Sequence, residues 1–244
     1  MEGAYREDLA FIHDAGHGDF ARAAAGVLQV ELRGRGWERG LVIDLGCGSG
    51  ILAGQLSDCG FDVLGIDISE AMIALARQRV PKGAFRVQSL LAADLPPCIA
   101  VAAVGECLNY LFDPGHSLEA VRQVLVRSYA ALAAKGLLIL DVAEPGRVPG
   151  PGRSKTFVEG DGWAVFATAT EDRQQALLTR QITSFRKVGD LYRRDHEVHR
   201  LRLVPGPQVL SWLQEIGFEV QSLTGYGPVP FRQGGAGFLA AKLE

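Results

Sequence analysis

A chain of 244 residues with 48% hydrophobic and 22% charged residues can bury one large core and has the composition of a globular protein. Its formal net charge of −3 disfavours broad binding to nucleic acid, which requires a strongly basic surface. The sequence has no apolar run long enough for a membrane span, no basic and apolar leader and no C-x-x-C spacing, so we expect a cytoplasmic protein with reduced cysteines.

The first part of the chain is predicted to be helical and then to alternate between strand and helix. Residues 4–33 carry a helical pattern and belong to a predicted N-terminal helical cap, residues 1–40. Leu41–Leu45 is apolar apart from Asp44, which is typical of a central parallel strand buried on both faces. Glycines and a short helix follow, and Phe61–Ile68 is predicted as the second strand.

The alternation of strand and helix continues as far as Asp141. Ser69 is a suitable N-cap for a helix that runs through Val80. A second helix is predicted from Ser117 to Gly136, and further strands are predicted at 85–91, 99–104 and 137–142. Five strands that alternate with helices indicate a parallel sheet with helices on both faces.

The pattern changes after the fifth strand. A Pro/Gly-rich connection, EPGRVPGPGRS, leads into four predicted strands separated by turn signals, at 156–158, 163–170, 177–186 and 191–203. A helix at Val209–Ile216 and strands at 218–223 and 237–243 complete the chain. We therefore expect a Rossmann-like α/β domain (41–150 and 204–244) with a seven-stranded, mostly parallel sheet and an inserted antiparallel β meander (151–203).

The motif that carries the chemistry is D-x-G-x-G-x-G at Asp44–Gly50, followed by Asp67 at the end of the second strand. A glycine-rich turn between strand and helix lets the backbone approach a ligand, and an acid about twenty residues later can accept hydrogen bonds from ribose hydroxyls. A dinucleotide fingerprint would need a third glycine at position 51, where the chain has Ile51. A nicotinamide-dependent oxidoreductase is therefore disfavoured.

This motif resembles that of the class I S-adenosylmethionine-dependent methyltransferases, from Leu41 to about Asp141 and more loosely to Leu243. The resemblance implies S-adenosylmethionine as cofactor and S-adenosylhomocysteine as product. It places the glycines against the methionine part, Asp44 near its ammonium group and Asp67 at both ribose hydroxyls. The cofactor-binding residues that we predict are Tyr5, His13, Asp44, Gly46, Cys47, Gly48, Gly50, Asp67, Ile68, Met72, Ser89, Leu90, Gly105 and Glu106.

Two departures from the family pattern refine this expectation. The segment after strand three lacks the usual acid for the adenine amino group, which leaves Ser89 or the backbone near Leu90. Strand four is followed by GECLNY (105–110) and not by the N/D-P-P-aromatic tetrapeptide of enzymes that methylate amino groups of nucleic acids and proteins. We therefore expect transfer to an oxygen or nitrogen of a small molecule. The alternatives are an RNA or protein methyltransferase and a cofactor-binding partner subunit without activity.

Candidate acceptor contacts lie after strand four and in the insertion. Glu106 is placed to hold an amine or take its proton, and it shares the prediction of a catalytic role with His196. His196 and His199 have opposite parity on one strand, so only one of them can face a cleft. The predicted substrate-binding residues are Asn109, Tyr110 and Tyr226. No metal site is assigned.

The β insertion resembles the lids of small-molecule N-methyltransferases, and we interpret it as a substrate lid. A lid would hold donor and acceptor in line and exclude water. A dimer contact or a dock for a partner protein is the competing interpretation, and the protein is expected to be a monomer or a homodimer.

Overall fold

The computed structural model describes residues 4–150 and 152–243. Three predicted limits lie outside the described residues: the start of the cap at 1, the start of the β meander at 151 and the end of the α/β domain at 244. Among the described helices, none is long and apolar enough to cross a membrane.

A seven-stranded sheet forms the centre of the molecule, in the order β10-β13-β5-β4-β1-β2-β3. Only β13 runs antiparallel to its two neighbours, β5 and β10. The predicted seven-stranded, mostly parallel sheet is therefore confirmed, with β13 as its antiparallel strand. Its strands are β1 (Leu41–Leu45), β2 (Asp62–Asp67), β3 (Ala84–Val87), β4 (Cys98–Ala103), β5 (Leu132–Ala143), β10 (Glu219–Leu223) and β13 (Gly235–Ala241).

Helices cover both faces of this sheet. They are α1 (Glu7–Gly16), α2 (Asp19–Gly34), α3 (Ile51–Asp58), α4 (Glu70–Arg79), α5 (Leu118–Ala131) and α6 (Gly206–Ile216). The side chains of Ser69 and Ser117 cap α4 and α5 by accepting backbone N–H groups of Met72 and Ala120. Gly217, with φ of 112°, ends α6 in the left-handed region that favours glycine.

Three boundaries differ from the sequence prediction. The N-terminal helix is two helices, because the chain turns at His17 and Gly18. The third strand ends at Val87, and Leu90–Ala92 forms a short 3-10 turn instead of continuing it. The fifth strand begins at Leu132 and not at 137; its pairing with β4 shifts register beyond Leu132, where Lys135 has a positive φ.

The insertion is a four-stranded antiparallel sheet in the order β6-β7-β8-β9, called the lid sheet below. Its strands are β6 (Arg153–Gly160), β7 (Trp163–Asp172), β8 (Leu177–Val188) and β9 (Leu191–Arg202). A short hairpin, β11 (Gly225–Tyr226) with β12 (Val229–Pro230), lies between the last two strands of the central sheet. The separate antiparallel sheet was predicted, and the hairpin was not.

Helix α1 connects the lid sheet to the rest of the molecule. Leu9 and Ile12 form a buried cluster with Trp163, Val165 and Ile182. The carboxylate of Asp8, only 4% exposed, pairs with Arg186 and Arg193 of the lid sheet. On its other side, α1 reaches α4 through the ion pair of Asp14 with Arg79. Apolar packing and the ion pairs of the buried Asp8 carboxylate together fix α1 on the lid sheet.

Candidate active site

The candidate site is a cavity at the carboxyl ends of the central strands. β1 pairs with β2 on one side and β4 on the other, so the chain reverses direction across the sheet here, which is where parallel sheets bind ligands. The segment after β4, the residues just before α1 and His13 of α1 line it. The lining residues are Ala4, Tyr5, His13, Gly46, Gly48, Asp67, Ile68, Met72, Ser89, Leu90, Leu91, Val104, Gly105, Cys107, Leu108, Tyr110, Phe112, Asp113 and His116.

Asp67 ends β2 at the wall of this cavity. Its two carboxylate oxygens accept the backbone N–H groups of Gly48, at 2.9 Å, and Ser69, at 2.8 Å. Burial raises the pKa of Asp67, and these backbone hydrogen bonds act against that rise. A carboxylate has about four acceptor positions, so two bonds leave capacity for two hydroxyl donors. This arrangement fits a ribose.

The three glycines of the motif have two different surroundings: one faces open space, and two pack closely against other residues. A Cβ on Gly48 would meet nothing closer than Met72 Sδ at 3.9 Å, so its backbone faces open space. A Cβ on Gly46 would collide with Cys107, and one on Gly50 would lie 3.0 Å from the Cβ of Ala76. Gly105 after β4 also faces open space, with φ of 87°. Bare backbone at Gly48 and Gly105 therefore flanks the cavity and can approach a ligand closely.

Asp44 lies beneath the cavity and is buried, 3% exposed. Its Oδ2 atom has no hydrogen-bond partner among the described residues. Burial, followed by the charge of Asp67, raises the pKa of Asp44 to about 8. An unsatisfied carboxylate is costly to bury, and a cationic group near it would relieve that cost. The ammonium of a methionine moiety fits this requirement.

A second buried carboxylate positions the turn after β4. Asp141 Oδ1 accepts the N–H of Gly105 and the hydroxyl of Tyr226, at 2.8 and 2.9 Å, and its Oδ2 accepts the N–H of Glu106. Burial raises the pKa of Asp141 to about 7. The carboxylate holds Gly105 at the cavity edge and Glu106 in a left-handed conformation with φ of 61°.

Glu106 is neutralised by two arginines. Arg180 of the lid sheet lies 2.7 Å from one carboxylate oxygen, and Arg147 contacts the other. Arg180 also donates to the hydroxyl of Tyr110, at 3.2 Å, and that hydroxyl lies 3.0 Å from the hydroxyl of Tyr5. This polar network joins the lid sheet, the turn after β4 and the N-terminal segment at one wall of the cavity.

Four rings pack together behind that wall. Tyr5, Tyr110, Phe112 and His199 have all six centroid separations between 4.8 and 6.3 Å, and we call them the ring cluster. The first three line the cavity, and His199 is buried with its Nε2 atom 2.9 Å from Glu197 Oε2. His13 lies beside Tyr5, and burial lowers its pKa to about 4, so it is neutral near pH 7.

Most of the predicted cofactor-binding residues meet in this one cavity. The lining includes Tyr5, His13, Gly46, Gly48, Asp67, Ile68, Met72, Ser89, Leu90 and Gly105. Asp44, Cys47, Gly50 and Glu106 lie outside that lining, where Asp44 and Cys47 are buried and Gly50 packs on α4. Their roles as cofactor contacts stay predictions.

Several predicted acceptor contacts are placed elsewhere by the structure. Tyr110 lines the cavity as expected. Asn109 is fully buried and bonds the backbone of Ala143 and Arg202, while the buried Tyr226 bonds Asp141. His196 is exposed on the opposite face of β9, 3.2 Å from the Thr183 hydroxyl. Asn109 and Tyr226 are thus structural supports, and the inward-facing histidine is His199.

The sequence prediction missed several residues of the site. Leu91, Val104, Cys107, Leu108, Phe112, Asp113 and His116 also line the cavity, and Arg147, Arg180, Asp141 and Glu197 support it. Phe112, Asp113 and His116 follow directly on the predicted Tyr110, so extending the segment after β4 would have included them. The supporting arginines carry no local pattern that separates them from solvated charges.

Comparison with known proteins supports this interpretation of the site. Residues 42–128 match the family described as a methyltransferase domain. A Bacillus subtilis protein, YqeM, whose assignment as a methyltransferase is itself provisional, is 27% identical over 199 residues, which cover 77% of this chain and 76% of that protein.

Solved structures share the fold over the whole chain. The sugar N-methyltransferase KedS8 from a Streptoalloteichus species has a TM-score of 0.77 and 21% identity over 100% of this chain and 96% of its own. CalS10 from Micromonospora echinaspora, an amino pentose methyltransferase solved with S-adenosylmethionine bound, has a TM-score of 0.76 and 20% identity over 99% of both chains. The protein therefore has the class I methyltransferase fold. Within that fold, residues 42–128 form a methyltransferase domain.

Proposed function

We propose that the protein transfers the methyl group of S-adenosylmethionine to a nitrogen or oxygen of a small metabolite. The observation that carries this proposal is the continuity of one cavity from Gly48 and Asp67 to the rings of Tyr5, Tyr110 and Phe112. The first end suits the cofactor, and the second offers apolar faces with two hydroxyls to an acceptor. A cavity covered by α1 suits a metabolite better than a polymer.

The chain's residues have distinct roles in this proposal. Asp67 binds the ribose hydroxyls, Asp44 neutralises the ammonium, and Gly48 and Gly105 allow close backbone approach. The bound cofactor supplies an activated methyl group on a sulfonium leaving group. The protein's contribution is then to align donor and acceptor and to exclude water.

We further propose that the cap, the α/β domain and the lid sheet act as three functional units. None of the cavity-lining residues described comes from 153–203, so the lid sheet acts on the acceptor end from behind, through Arg180 and His199. This arrangement supports a lid that shapes the site, in place of the dimer contact considered as its alternative.

Amino sugars are the first acceptors to test, because KedS8 and CalS10 are described as acting on sugars of that kind. Purified protein is incubated with S-adenosylmethionine and glucosamine or other amino hexoses, and products are followed by mass spectrometry. N-acetylglucosamine is the matched control with a blocked amine, and a metabolite extract widens the panel to hydroxyl acceptors. We expect a cofactor-dependent gain of one methyl group on a metabolite. Methylation of RNA or protein in the absence of any metabolite product would contradict the proposal.

A further inference from the structure

His199 is a buried imidazole inside the ring cluster. It is 1% exposed, and its ring centroid lies 4.8 Å from that of Tyr5 and 5.0 Å from that of Phe112. Both of those rings line the cavity. A histidine on an antiparallel strand usually reaches solvent, so complete burial next to a ligand cavity requires an explanation.

A carboxylate fixes the tautomer of this imidazole. Glu197 Oε2 lies 2.9 Å from His199 Nε2, and Glu197 Oε1 accepts the backbone N–H of Arg6 at 2.9 Å. Because a carboxylate accepts hydrogen bonds, the neutral form of His199 carries its proton on Nε2 in this contact. Nδ1 then carries a lone pair, and this atom has no hydrogen-bond partner among the described residues.

We infer that His199 Nδ1 accepts the proton that the acceptor loses during methyl transfer, with Glu197 as its positioning residue; this inference rests on the proposed small-molecule function. The pattern of carboxylate, imidazole and free lone pair is the one that orients a general base and stabilises the imidazolium that it becomes. His199 lies behind the cavity lining, so the proton reaches Nδ1 through one water molecule that enters beside the rings of Tyr5 and Phe112.

The step balances in atoms and charge. The lone pair of the acceptor nitrogen or oxygen forms the bond to the methyl carbon. The carbon–sulfur bond breaks and leaves its electron pair on sulfur. The proton of the acceptor N–H or O–H moves to His199 Nδ1, and the resulting imidazolium is paired with the Glu197 carboxylate until it releases the proton to solvent.

The groups that face His199 favour this role for it over the two histidines that line the cavity, His13 and His116. Tyr5 and His13 approach from the N-terminal segment and α1, Tyr110 approaches from the turn after β4, and Glu197 is on the same strand. The charge of Arg180, which reaches Tyr110, is already paired with Glu106. No carboxylate partner of His13 is described, and His116 Nε2 lies 3.0 Å from the carbonyl of Leu108. Among these histidines, only His199 has the carboxylate that a base requires.

The tautomer can be tested without turnover. Nitrogen-15 resonances of labelled histidine distinguish Nδ1–H from Nε2–H in the S-adenosylhomocysteine complex. We expect wild-type His199 as the Nε2–H form and the Nδ1–H form in Glu197→Gln, whose side-chain amide can donate to Nε2. Glucosamine should then shift the Nδ1 resonance of wild type. The inference would be overturned if His199 of the wild-type protein carried its proton on Nδ1. It would also be overturned if glucosamine bound without moving the Nδ1 resonance.

The rate of transfer gives the second test. His199→Gln keeps an amide that can reach Glu197 and removes the basic Nδ1. Its single-turnover rate should fall about 100-fold or more, while its dissociation constant for S-adenosylhomocysteine changes less than about twofold. His196→Gln makes the same substitution on the exposed face of the same strand and should retain the wild-type rate. A folded His199→Gln variant with an unchanged rate would disprove the role. If the wild-type protein methylates no metabolite, that result counts against the proposed function. The tautomer measurement would still show whether Glu197 holds His199 with a free Nδ1 lone pair.

Discussion

The hydroxyl groups of Tyr5 and Tyr110 lie 3.0 Å apart and join segments separated by 105 residues of sequence. Burial raises the pKa of Tyr5 well above its usual value, so this hydroxyl stays protonated. Tyr110 receives a second hydrogen bond from Arg180. The pair therefore links the N-terminal segment, the turn after β4 and the lid sheet at the proposed acceptor end of the cavity.

Removing either hydroxyl should weaken acceptor binding more than cofactor binding. Tyr5→Phe loses one hydrogen bond and Tyr110→Phe loses two, each worth about 0.5–1.5 kcal/mol. We expect KM for the acceptor to rise by about two- to tenfold in Tyr5→Phe and further in Tyr110→Phe. Tyr192→Phe, on an exposed part of the lid sheet, is the control. A larger loss of cofactor affinity than of acceptor affinity would place these hydroxyls at the wrong end of the cavity.

Asp67→Ala should weaken cofactor binding without unfolding the protein. Two charge-assisted hydrogen bonds to ribose contribute roughly 1.5–3 kcal/mol each, and the substitution also frees the N–H groups of Gly48 and Ser69. Calorimetry with S-adenosylhomocysteine should show a dissociation constant at least about tenfold higher. Asp62→Ala, at the exposed start of the same strand, should bind as wild type does. Equal affinity in a folded Asp67→Ala protein would show that another group holds the ribose.

The pKa of Asp44 predicts a pH dependence for both folding and cofactor binding. Because burial raises this pKa from 3.8 to about 8, the folded protein holds a proton that the unfolded chain has lost over that range. This carboxyl therefore lowers stability as pH rises from about 4 to about 8. A nearby ammonium favours the ionised form, so binding of S-adenosylhomocysteine at pH 7 should release a proton and tighten as pH rises from 6 to 8.

Asp44→Asn separates this effect from those of the other buried carboxylates. Calorimetry in buffers of different ionisation enthalpy measures the proton release, and we expect less release in the variant than in wild type. Thermal unfolding without cofactor should also depend less on pH in the variant, with Asp141, whose pKa is about 7, supplying part of what remains. Proton release that is identical in the two proteins would assign the linkage to another group.

The ion pairs of Asp8 predict that the cap controls ligand exchange. Asp8→Asn removes the buried charge that holds Arg186 and Arg193, and the loss of both ion pairs should loosen α1 on the lid sheet. We expect faster dissociation of S-adenosylhomocysteine in stopped-flow measurements, with the central sheet intact by circular dichroism. Asp19→Asn breaks only an exposed pair with Arg22 on the next helix and serves as control. An unchanged dissociation rate in Asp8→Asn would show that the cofactor exchanges by another route.

The sequence predicted the central sheet well because parallel buried strands are continuous apolar runs with glycine-rich ends. Leu41–Leu45 and the motif from Asp44 to Gly50 are of this kind, and their position also located the cofactor end of the cavity. The start of β5 was missed because Leu132 continues the helical spacing of α5, and only its pairing with Cys98 makes it a strand. Tertiary pairing decides that boundary, and local pattern does not.

The acceptor end was harder to predict, because its supports come from distant parts of the chain. Strand parity showed that His196 and His199 face opposite sides, but only the packing of α1 on the lid sheet decides which side is inward. Glu106 carries the charge expected of an amine anchor. Its pairing with Arg147 and Arg180 depends on the folded structure, because both arginines are distant from it in sequence. Asn109 and Tyr226 were predicted as substrate contacts because a polar side chain in this region could bind a ligand. In the structure they bond backbone groups and the Asp141 carboxylate instead, a difference that the sequence does not show.

Ser69 ties the cap to the ribose acid, and this connection has a kinetic consequence. Its backbone N–H donates to Asp67, and its hydroxyl donates to the carbonyl of Tyr5 at 2.9 Å. The next residue, Arg6, donates a hydrogen bond to Asp195 of the lid sheet. We expect a cofactor beneath Tyr5 to enter and leave as that contact opens. Substrates should therefore add in a compulsory order, cofactor first and acceptor second, and S-adenosylhomocysteine should be the last product released. Product inhibition by S-adenosylhomocysteine should then be competitive with the cofactor and noncompetitive with the acceptor. At saturating concentrations of both substrates, the opening of the cap should set the turnover rate.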